Sequence, residues 1–244
     1  MHHFRLFFRL SPLTLFDTRC AACGCPGEAL CRRCRFSLAS SGPIRGPGGI
    51  GAAFAFEGVP RELIVALKFR HRRAAAEVLA AQMVRRLGLT PVDVVTWAPT
   101  SARRVRGRGY DQAEVIARAV ARRLGVPCRR LLYRAHGDPQ TGKSRADRLA
   151  GPSFRARRPR AGLSVLVVDD VVTTGATLRT AARALGAAGV ARIELAAAAS
   201  TQLRRADAPR LPGRVPRSTP PPPVGCAPAW ESSIASSELV KARS

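Results

Sequence analysis

The sequence predicts an α/β protein with a mostly parallel sheet, preceded by a small cysteine-rich module. Short apolar runs rich in β-branched residues alternate with segments of helical periodicity through the middle of the chain. Such alternation is typical of βαβ units, whose strands run parallel. Two closely spaced cysteine pairs near the N-terminus indicate a separate metal-binding unit. The chain should therefore contain one main domain and one small appended module.

Length and composition agree with one sizeable domain. The chain has 244 residues, of which 46% are hydrophobic and only 5% are aromatic. This length can bury a core, and the core must consist mostly of Ala, Val and Leu.

The formal net charge of +25 favours anionic partners such as nucleic acid, a membrane surface or a polyphosphate. Nearly all of this charge is arginine, since the chain has only three lysines. An Arg- and Ala-rich genome would produce the same composition. Charge alone therefore does not assign a nucleic-acid function.

Residues 1–18 form an apolar segment that we expect to pack on the domain as a short helical turn. Arg5, Arg9 and Pro12 interrupt this segment, and no small-residue cleavage site follows it. No uncharged stretch is long enough to span a membrane. The expected location is cytoplasmic, without membrane insertion, so the seven cysteines favour metal binding or free thiols over disulfides.

The module at 1–40 contains two C-x2-C pairs, Cys20 with Cys23 and Cys31 with Cys34. Each pair can form a turn that directs two thiolates at one ion, and four thiolates suit tetrahedral Zn²⁺. Four protein ligands leave no open position, which predicts a structural zinc site. Cys25 is a fifth cysteine here, and it could replace Cys23 if the spacing became C-x4-C.

A Gly/Pro/Ser-rich segment at 41–50 predicts a linker, residues 51–202 the main domain, and the Arg/Pro-rich residues 203–244 a disordered tail. The expected strands are 50–56, 92–98, 127–133, 164–170 and 191–199. The expected helices are 60–70, 73–87, 112–124 and 176–188.

The loop after the second strand suits a pyrophosphate, because it combines Thr100 and Ser101 with Arg103 at the carboxyl end of a strand. Arg106 to Gln112 follows, for which a flexible basic turn capped by Asp111 is the simpler interpretation. Residues 134–148 lack apolar periodicity. They predict either a mobile lid or a solvated surface loop.

The stretch Val165–Leu178, VLVVDDVVTTGATL, carries the most specific chemistry. A buried strand ends in Asp169 and Asp170, which can accept hydrogen bonds from a ribose diol or reach a hydrated Mg²⁺. A loop of threonines and Gly175 then leads into a helix N-terminus, which is a phosphate site. An ordinary capped turn would explain one carboxylate but not two in tandem.

This stretch resembles the phosphoribosyl diphosphate (PRPP) motif of type I phosphoribosyltransferases, and the chain as a whole resembles the ComF family. The resemblance covers about residues 15–201. It rests on the following segments: the cysteine module, GVPRELIVALKF at 58–69, RGRGYDQAEVIAR at 106–118, PQ at 139–140 with Arg145 and Arg148, and the PRPP motif.

The resemblance implies a Rossmann-like type I phosphoribosyltransferase core that binds Mg²⁺ and PRPP, with a zinc-ribbon-like module and a link to DNA uptake in competence. The residues implied in catalysis are Asp169, Asp170, Arg106 and Arg108. The residues implied in PRPP binding are Asp169, Asp170, Val171, Val172, Thr173, Thr174, Gly175, Ala176, Thr177, Thr100, Ser101 and Arg103. Arg103, Arg106, Arg108 and Lys143 are the candidate cations for the leaving group.

The chain departs from the family pattern at several places, which include Tyr110 where the family has Phe and DRLAGPSF in the lid segment where the family has an Asn near Ala-Gly-Phe-like residues. It has TWAP where the family has a Val-Pro-Val-Pro-like strand end, and Asp111 where the family has Asn. Neither the acceptor nor the oligomeric state follows from the sequence. The alternative hypothesis is a non-catalytic protein that binds single-stranded DNA or the competence machinery on this scaffold. A purely structural zinc-bound adaptor is the third hypothesis.

Overall fold

A six-stranded sheet organises the part of the chain that the structure describes, a computed structural model covering residues 19–135, 152–158, 160, 162–202 and 204–205. The strands in chain order are β1 (Ile44–Arg45), β2 (Gly51–Ala55), β3 (Val94–Trp97), β4 (Leu132–Arg134), β5 (Phe154–Ala156), β6 (Ser164–Val172), β7 (Arg192–Ser200) and β8 (Arg204–Arg205). The main sheet has the order β3-β6-β7-β2-β1-β8, while β4 and β5 form a separate antiparallel hairpin.

The four strands β3, β6, β7 and β2 are parallel, and only β1 and β8 join antiparallel. The predicted mostly parallel α/β class is confirmed. The helices of the described chain are α1 (Arg32–Ser40), α2 (Gly58–Phe69), α3 (Ala74–Leu87), α4 (Ala102–Arg108), α5 (Gln112–Leu124) and α6 (Ala176–Ala187).

The central strand β6 is covered on both faces, so its apolar residues alternate between two cores. Leu166 and Val168 pack in the core that contains α2, α3, α5 and the cysteine module. Val165 and Val167 pack in the core with α6 and the β4–β5 hairpin. A parallel strand buried on both faces is necessarily a continuous apolar run, which explains why polar residues first appear where the strand leaves the core.

Three local predictions differ from the structure. Residues 102–108 form helix α4, because Ser101 caps it through a hydrogen bond from the backbone N–H of Arg104 at 3.4 Å. The predicted strand at 127–133 is divided: Cys128 forms an isolated bridge with Val95, and the end of the segment belongs to β4 of the hairpin. Strand β6 continues two residues past the acidic pair, to Val172.

The segment predicted as a linker, 41–50, holds β1 and a short 3-10 turn at Pro47–Gly49. The domain boundaries that treat 41–50 as a linker between the module and the main domain stay a prediction. The apolar segment 1–18, the predicted lid from 136 onward with Lys143, and the tail from 206 onward lie outside the described residues. Among the helices that the structure describes, none combines the length and the apolarity needed to cross a bilayer.

Candidate functional site

Strand β6 delivers two adjacent carboxylates, Asp169 and Asp170, to the carboxyl edge of the sheet, as the sequence predicted. The Oδ1 atom of Asp169 accepts a hydrogen bond from the backbone N–H of Asp170 at 2.8 Å. The Oδ2 atom of Asp170 lies 2.8 Å from Nζ of Lys68. Both carboxylates are half-buried, so they can meet a ligand without being fully solvated.

Lys68, in the last turn of α2, is a site residue that the sequence analysis did not assign. Its side chain is 20% exposed and that of Asp170 is 15% exposed, so solvent screens this ion pair less than it screens a surface pair. Lys68 neutralises one of the two adjacent charges. The sequence held one indication of a special role for Lys68, since it is one of only three lysines in an arginine-rich chain.

Without a ligand, the surroundings of Asp169 disfavour its ionised form. Burial, together with the nearby charge of Asp170, raises the pKa of Asp169 well above its usual range, and the hydrogen bond from the Asp170 N–H and the charge of Lys68 oppose this only in part. Hydroxyl donors or a cation at this carboxylate would therefore favour its ionised form.

The loop after the acidic pair ends in an open helix N-terminus. Thr173 and Thr174 are exposed, and Gly175 is the N-cap of α6 with φ +74° and no side-chain cap hydrogen bond. Within the first turn, the Ala176 N–H donates to Oγ1 of Thr174 at 3.3 Å. Free N–H groups and the positive end of the helix dipole suit a phosphate.

Gly175 is also required by close packing. A Cβ atom at this position would lie 2.9 Å from Cδ1 of Ile50 and 3.3 Å from the carbonyl oxygen of Pro47. Ile50 and Pro47 of the 41–50 segment therefore pack against the loop at Gly175. The Gly/Pro composition of this segment did not predict that contact.

Asp111 joins the second candidate loop to helix α5. Its Oδ2 atom accepts from the Thr100 backbone N–H at 2.8 Å, and its Oδ1 atom accepts from the Ala113 N–H at 3.1 Å. Its side chain is buried, and burial raises its pKa in spite of these hydrogen bonds. The predicted cap is present, and the Thr100 N–H is already used by Asp111.

Helix α4 separates two arginine-lined cavities. Arg106 lines a cavity of about 1160 Å³, whereas Arg108 lines one of about 570 Å³ on the other side of the helix. Arg108 also lies 4.9 Å from the ring centroid of Phe69 and donates to Oε1 of Gln112 at 3.0 Å. The two arginines predicted to act together thus face different cavities, and Arg103 lines both.

Neither cavity includes the acidic pair in its lining. Two neighbours connect the pair to the cavities: Lys68, which pairs with Asp170 and precedes the lining residue Phe69, and Asp111, which lines the larger cavity. The charge of Asp170 raises the pKa of Asp111, and the charges of Asp170 and Asp111 both raise the pKa of Asp169. The carboxyl ends of β3 and β6 thus form one electrostatic unit.

The four predicted cysteines come together in one cluster. The Sγ atoms of Cys20, Cys23, Cys31 and Cys34 all lie within 4.8 Å of one another, with 3.7 Å between those of Cys23 and Cys31. A zinc tetrahedron with Zn–S bonds of ~2.3 Å has edges of about 3.8 Å. The cluster can hold such a metal ion.

The thiol environments agree with a metal site. Burial opposes ionisation of Cys20, but backbone N–H groups, including that of Cys31, lower its pKa to about 7. Burial and the neighbouring cysteines raise the pKa of Cys34. A cation would remove this mutual repulsion.

The cysteine module is attached to the main domain next to the site. Nη1 of Arg72 donates to the Cys20 carbonyl at 2.8 Å. The adjacent His71 and Arg73 contact the ring of Tyr110 at centroid distances of 5.9 and 5.2 Å. Tyr110 directly precedes Asp111, whose side chain accepts from the Thr100 N–H. These contacts therefore connect the cysteine module to the loop after β3.

The phosphoribosyl transferase domain model matches residues 111–211 of this chain. The matched segment begins at the residue that caps α5 and includes the acidic pair and the loop into α6. Together with the sheet order, this match assigns the main domain to the type I phosphoribosyltransferase fold.

Two curated relatives are similar over longer stretches. Competence protein ComFC of Bacillus subtilis is 28% identical over 176 residues, covering 68% of this chain and 70% of that protein. DNA utilization protein YhgH of Salmonella typhi is 30% identical over 145 residues, covering 54% of this chain and 63% of that protein. The match to YhgH therefore spans less than two thirds of its length.

Solved structures show weaker likeness. The glutamine PRPP amidotransferase of B. subtilis, complexed with ADP and GMP, has a TM-score of 0.39 and 23% identity, covering 52% of this chain and 26% of that one. The adenine phosphoribosyltransferase of Thermoanaerobacter pseudethanolicus has a TM-score of 0.35 and 15% identity, covering 55% and 83%. At these scores the likeness carries no argument about the site.

Proposed function

We propose that this chain, a ComF-family protein with a phosphoribosyl transferase domain, binds PRPP with Mg²⁺ and transfers its phosphoribosyl group to an acceptor. The observation that carries the proposal is the placement of Asp169 and Asp170 directly before the uncapped N-terminus of α6. Hydrogen-bond acceptors for a ribose diol and donors for a phosphate are thus separated by one short loop.

Each part of the donor has a matching group in the chain. The ribose hydroxyls would donate to Asp169 and Asp170, and the 5′-phosphate would accept from the loop 173–177 and the first turn of α6. The pyrophosphate would lie towards Ser101 and Arg103 at the start of α4. Mg²⁺, when bound, would neutralise part of the pyrophosphate charge, and the acidic pair offers oxygen ligands that suit it.

The reaction is a substitution at C1 of the ribose. The bond from C1 to the pyrophosphate oxygen breaks, its electron pair leaves with pyrophosphate, and the nucleophilic atom of the acceptor forms the new bond to C1. Any proton released by the acceptor passes to pyrophosphate or water. The protein contributes by orienting the donor and by placing arginines near the departing charge.

Calorimetry with PRPP and Mg²⁺ tests the donor site. We expect the purified chain to bind, and Asp169→Asn and Asp170→Asn to weaken binding at least about tenfold, since each removes a charge-assisted acceptor. Asp93→Asn is the matched control, because Asp93 accepts from the Ser164 N–H at the opposite end of β3 and β6. Equal affinities in all four proteins would refute the proposal.

We also propose that the cysteine cluster holds one structural Zn²⁺. Four thiolates complete a tetrahedron and leave no position for a substrate. The metal would then hold the module against α2 and the loop after β3, with no part in the chemistry.

A second candidate function, binding of single-stranded DNA, is favoured by the larger cavity. Its lining includes several arginines and the exposed ring of Tyr133, whose centroid lies 4.8 Å from the guanidinium carbon of Arg130. Arginines and an aromatic ring in one groove suit phosphates and bases. The printed names of both relatives, a competence protein and a DNA utilization protein, give this function its context.

Fluorescence polarisation with a labelled oligonucleotide tests this candidate. Binding should weaken steeply with salt, and the double variant R106Q/R130Q should weaken it about tenfold or more. Arg183→Gln, on the exposed side of α6, is the control. An affinity that does not change with salt, or one that the double variant leaves unchanged, would exclude this groove.

A further inference from the structure

The smaller cavity lies between the end of α2, helix α4 and strand β4. It shares Ser101 and Arg103 with the proposed pyrophosphate position, and the rest of its lining has no assigned ligand. Its volume is about 570 Å³, enough for a single heterocycle with its substituents. Its lining residues are Phe69, Ser101, Arg103, Arg104, Gly107, Arg108 and Arg134. Among the residues that the structure describes, the lining contains four guanidinium groups and no carboxylate.

No described residue of the lining carries a negative charge that would compensate these four groups. Arg134 is half-buried, and burial together with the charge of Arg104 lowers its pKa. Asp111 opposes this effect, but its two oxygens already accept backbone hydrogen bonds. An anionic group between Arg104 and Arg134 would remove the repulsion, so the cavity favours a negatively charged ligand.

The cavity also has an aromatic wall. The Phe69 side chain is 62% exposed, and the guanidinium of Arg108 covers one side of its ring at 4.9 Å. A ring fixed by a stacked arginine can stack a planar ligand on its open side.

The position of Phe69 connects this cavity to the donor site. The preceding residue, Lys68, forms the ion pair with Asp170, and Ser101 at the start of α4 lines the cavity. A ligand in this cavity would therefore lie next to residues that neighbour the proposed donor site.

We propose that this cavity is the acceptor subsite and that it takes a planar aromatic ring carrying a carboxylate-like anion. The ring lies against Phe69, and the anion lies between Arg104 and Arg134. This inference rests on the proposed transferase function, since an acceptor needs a donor, but the subsite can be tested without the donor.

Orotate and uracil are suitable probes, because they share one ring and differ only in the carboxylate. Without PRPP, we expect orotate to bind at least about tenfold more tightly than uracil in titrations followed by calorimetry or ligand-observed NMR. Phe69→Ala should weaken orotate binding roughly tenfold, and Arg104→Gln should remove most of the preference over uracil.

The chain offers two matched controls. Phe36→Ala removes a ring that is 67% exposed on α1, and Arg106→Gln removes an arginine that lines only the larger cavity. Because Arg106 also belongs to the proposed leaving-group cations, Arg183→Gln, at an exposed arginine of α6 that lines neither cavity, is the stricter arginine control. Phe36→Ala and Arg183→Gln should leave orotate binding unchanged. Equal affinity for orotate and uracil, or orotate binding unaffected by Phe69→Ala, would overturn the subsite.

The two proposals can fail separately. PRPP binding that persists while orotate shows no preference would overturn the acceptor subsite alone. Orotate binding that persists without any PRPP binding would overturn the donor site alone.

Discussion

The carboxylate of Asp111 fixes the backbone N–H of Thr100 at 2.8 Å and so ties the loop after β3 to the first turn of α5. The same side chain caps α5 through its other oxygen. A carboxylate can accept both hydrogen bonds, whereas a neutral amide has a single acceptor oxygen. This explains how Asp functions at a position where the ComF pattern has Asn.

Asp111→Asn should therefore destabilise this protein. One backbone N–H would face the amide NH₂ group without an acceptor, which costs about 1–3 kcal/mol, and removal of a buried charge offsets part of that cost. We expect a net loss of roughly 1 kcal/mol in the free energy of unfolding, measured by urea denaturation. An unchanged midpoint would show that the amide can satisfy both donors after rearrangement.

Substitution of Lys68 should weaken donor binding through the acidic pair. In Lys68→Met, Asp170 loses its counter-ion, and the pKa of Asp169 should rise further because Lys68 currently lowers it. We expect PRPP affinity to fall about tenfold by calorimetry. Lys68→Arg keeps the charge and should recover much of the affinity; equal losses in the two variants would point to packing instead of charge.

Asp169→Asn should raise stability at neutral pH while it weakens PRPP binding. The pKa of Asp169 is raised in the folded state, so between its ordinary and raised pKa values the native protein holds more protons than the unfolded chain. The stability contribution of this group therefore falls as pH rises through that window. Removing the charge should increase the melting temperature at pH 7.5 by about 2–4 °C.

The pH dependence gives the control for this effect. The difference in melting temperature between Asp169→Asn and the natural chain should shrink as pH falls towards the ordinary aspartate pKa. At such pH the carboxyl of Asp169 becomes neutral in the unfolded chain as well. A difference in melting temperature that stays constant with pH would contradict a titration origin.

Gly175→Ala should disrupt the loop at the start of α6. The left-handed φ of +74° and the 2.9 Å approach to Ile50 both oppose a side chain, with an expected cost of about 1–3 kcal/mol. Gly189→Ala is a matched control: its φ is +90°, but nothing lies within 4 Å of the added Cβ. Similar losses of stability and PRPP binding in both variants would argue against the packing role.

Zinc content should follow the cysteine cluster. Elemental analysis should find one zinc per chain, and Cys34→Ser should lose the metal and lower the melting temperature, since a structural site contributes folding energy. Cys128→Ser should retain zinc, because Cys128 is free and outside the cluster. Absence of zinc from a purified chain that stays folded in chelator would refute the assignment.

Much of this architecture was predictable, since it depends on local patterns. The strand before Asp169 is apolar on both faces because helices cover both faces, and the cysteine pairs meet because each forms its own turn. The acidic pair and the open start of α6 lie next to each other in the chain. Their proximity in space needed no tertiary information.

The parts that sequence did not predict depend on contacts between distant segments. Lys68 reaches Asp170 across about one hundred residues of chain, and periodicity indicated only that Lys68 belongs to a helix. Helix α4 was expected as a loop because its arginines and glycine lack an apolar face. Nor could its sequence show that Arg106 and Arg108 face different cavities.

Because helix α4 separates the two cavities, it can couple ligand binding in one to ligand binding in the other. A ligand in the small cavity and a ligand in the large one would contact opposite sides of the same two-turn helix, which Ser101 caps at its start. If binding on one side shifts this helix, the affinity on the other side must change by the same factor in both directions. Acceptor binding and nucleic-acid binding would then be thermodynamically linked through one helix.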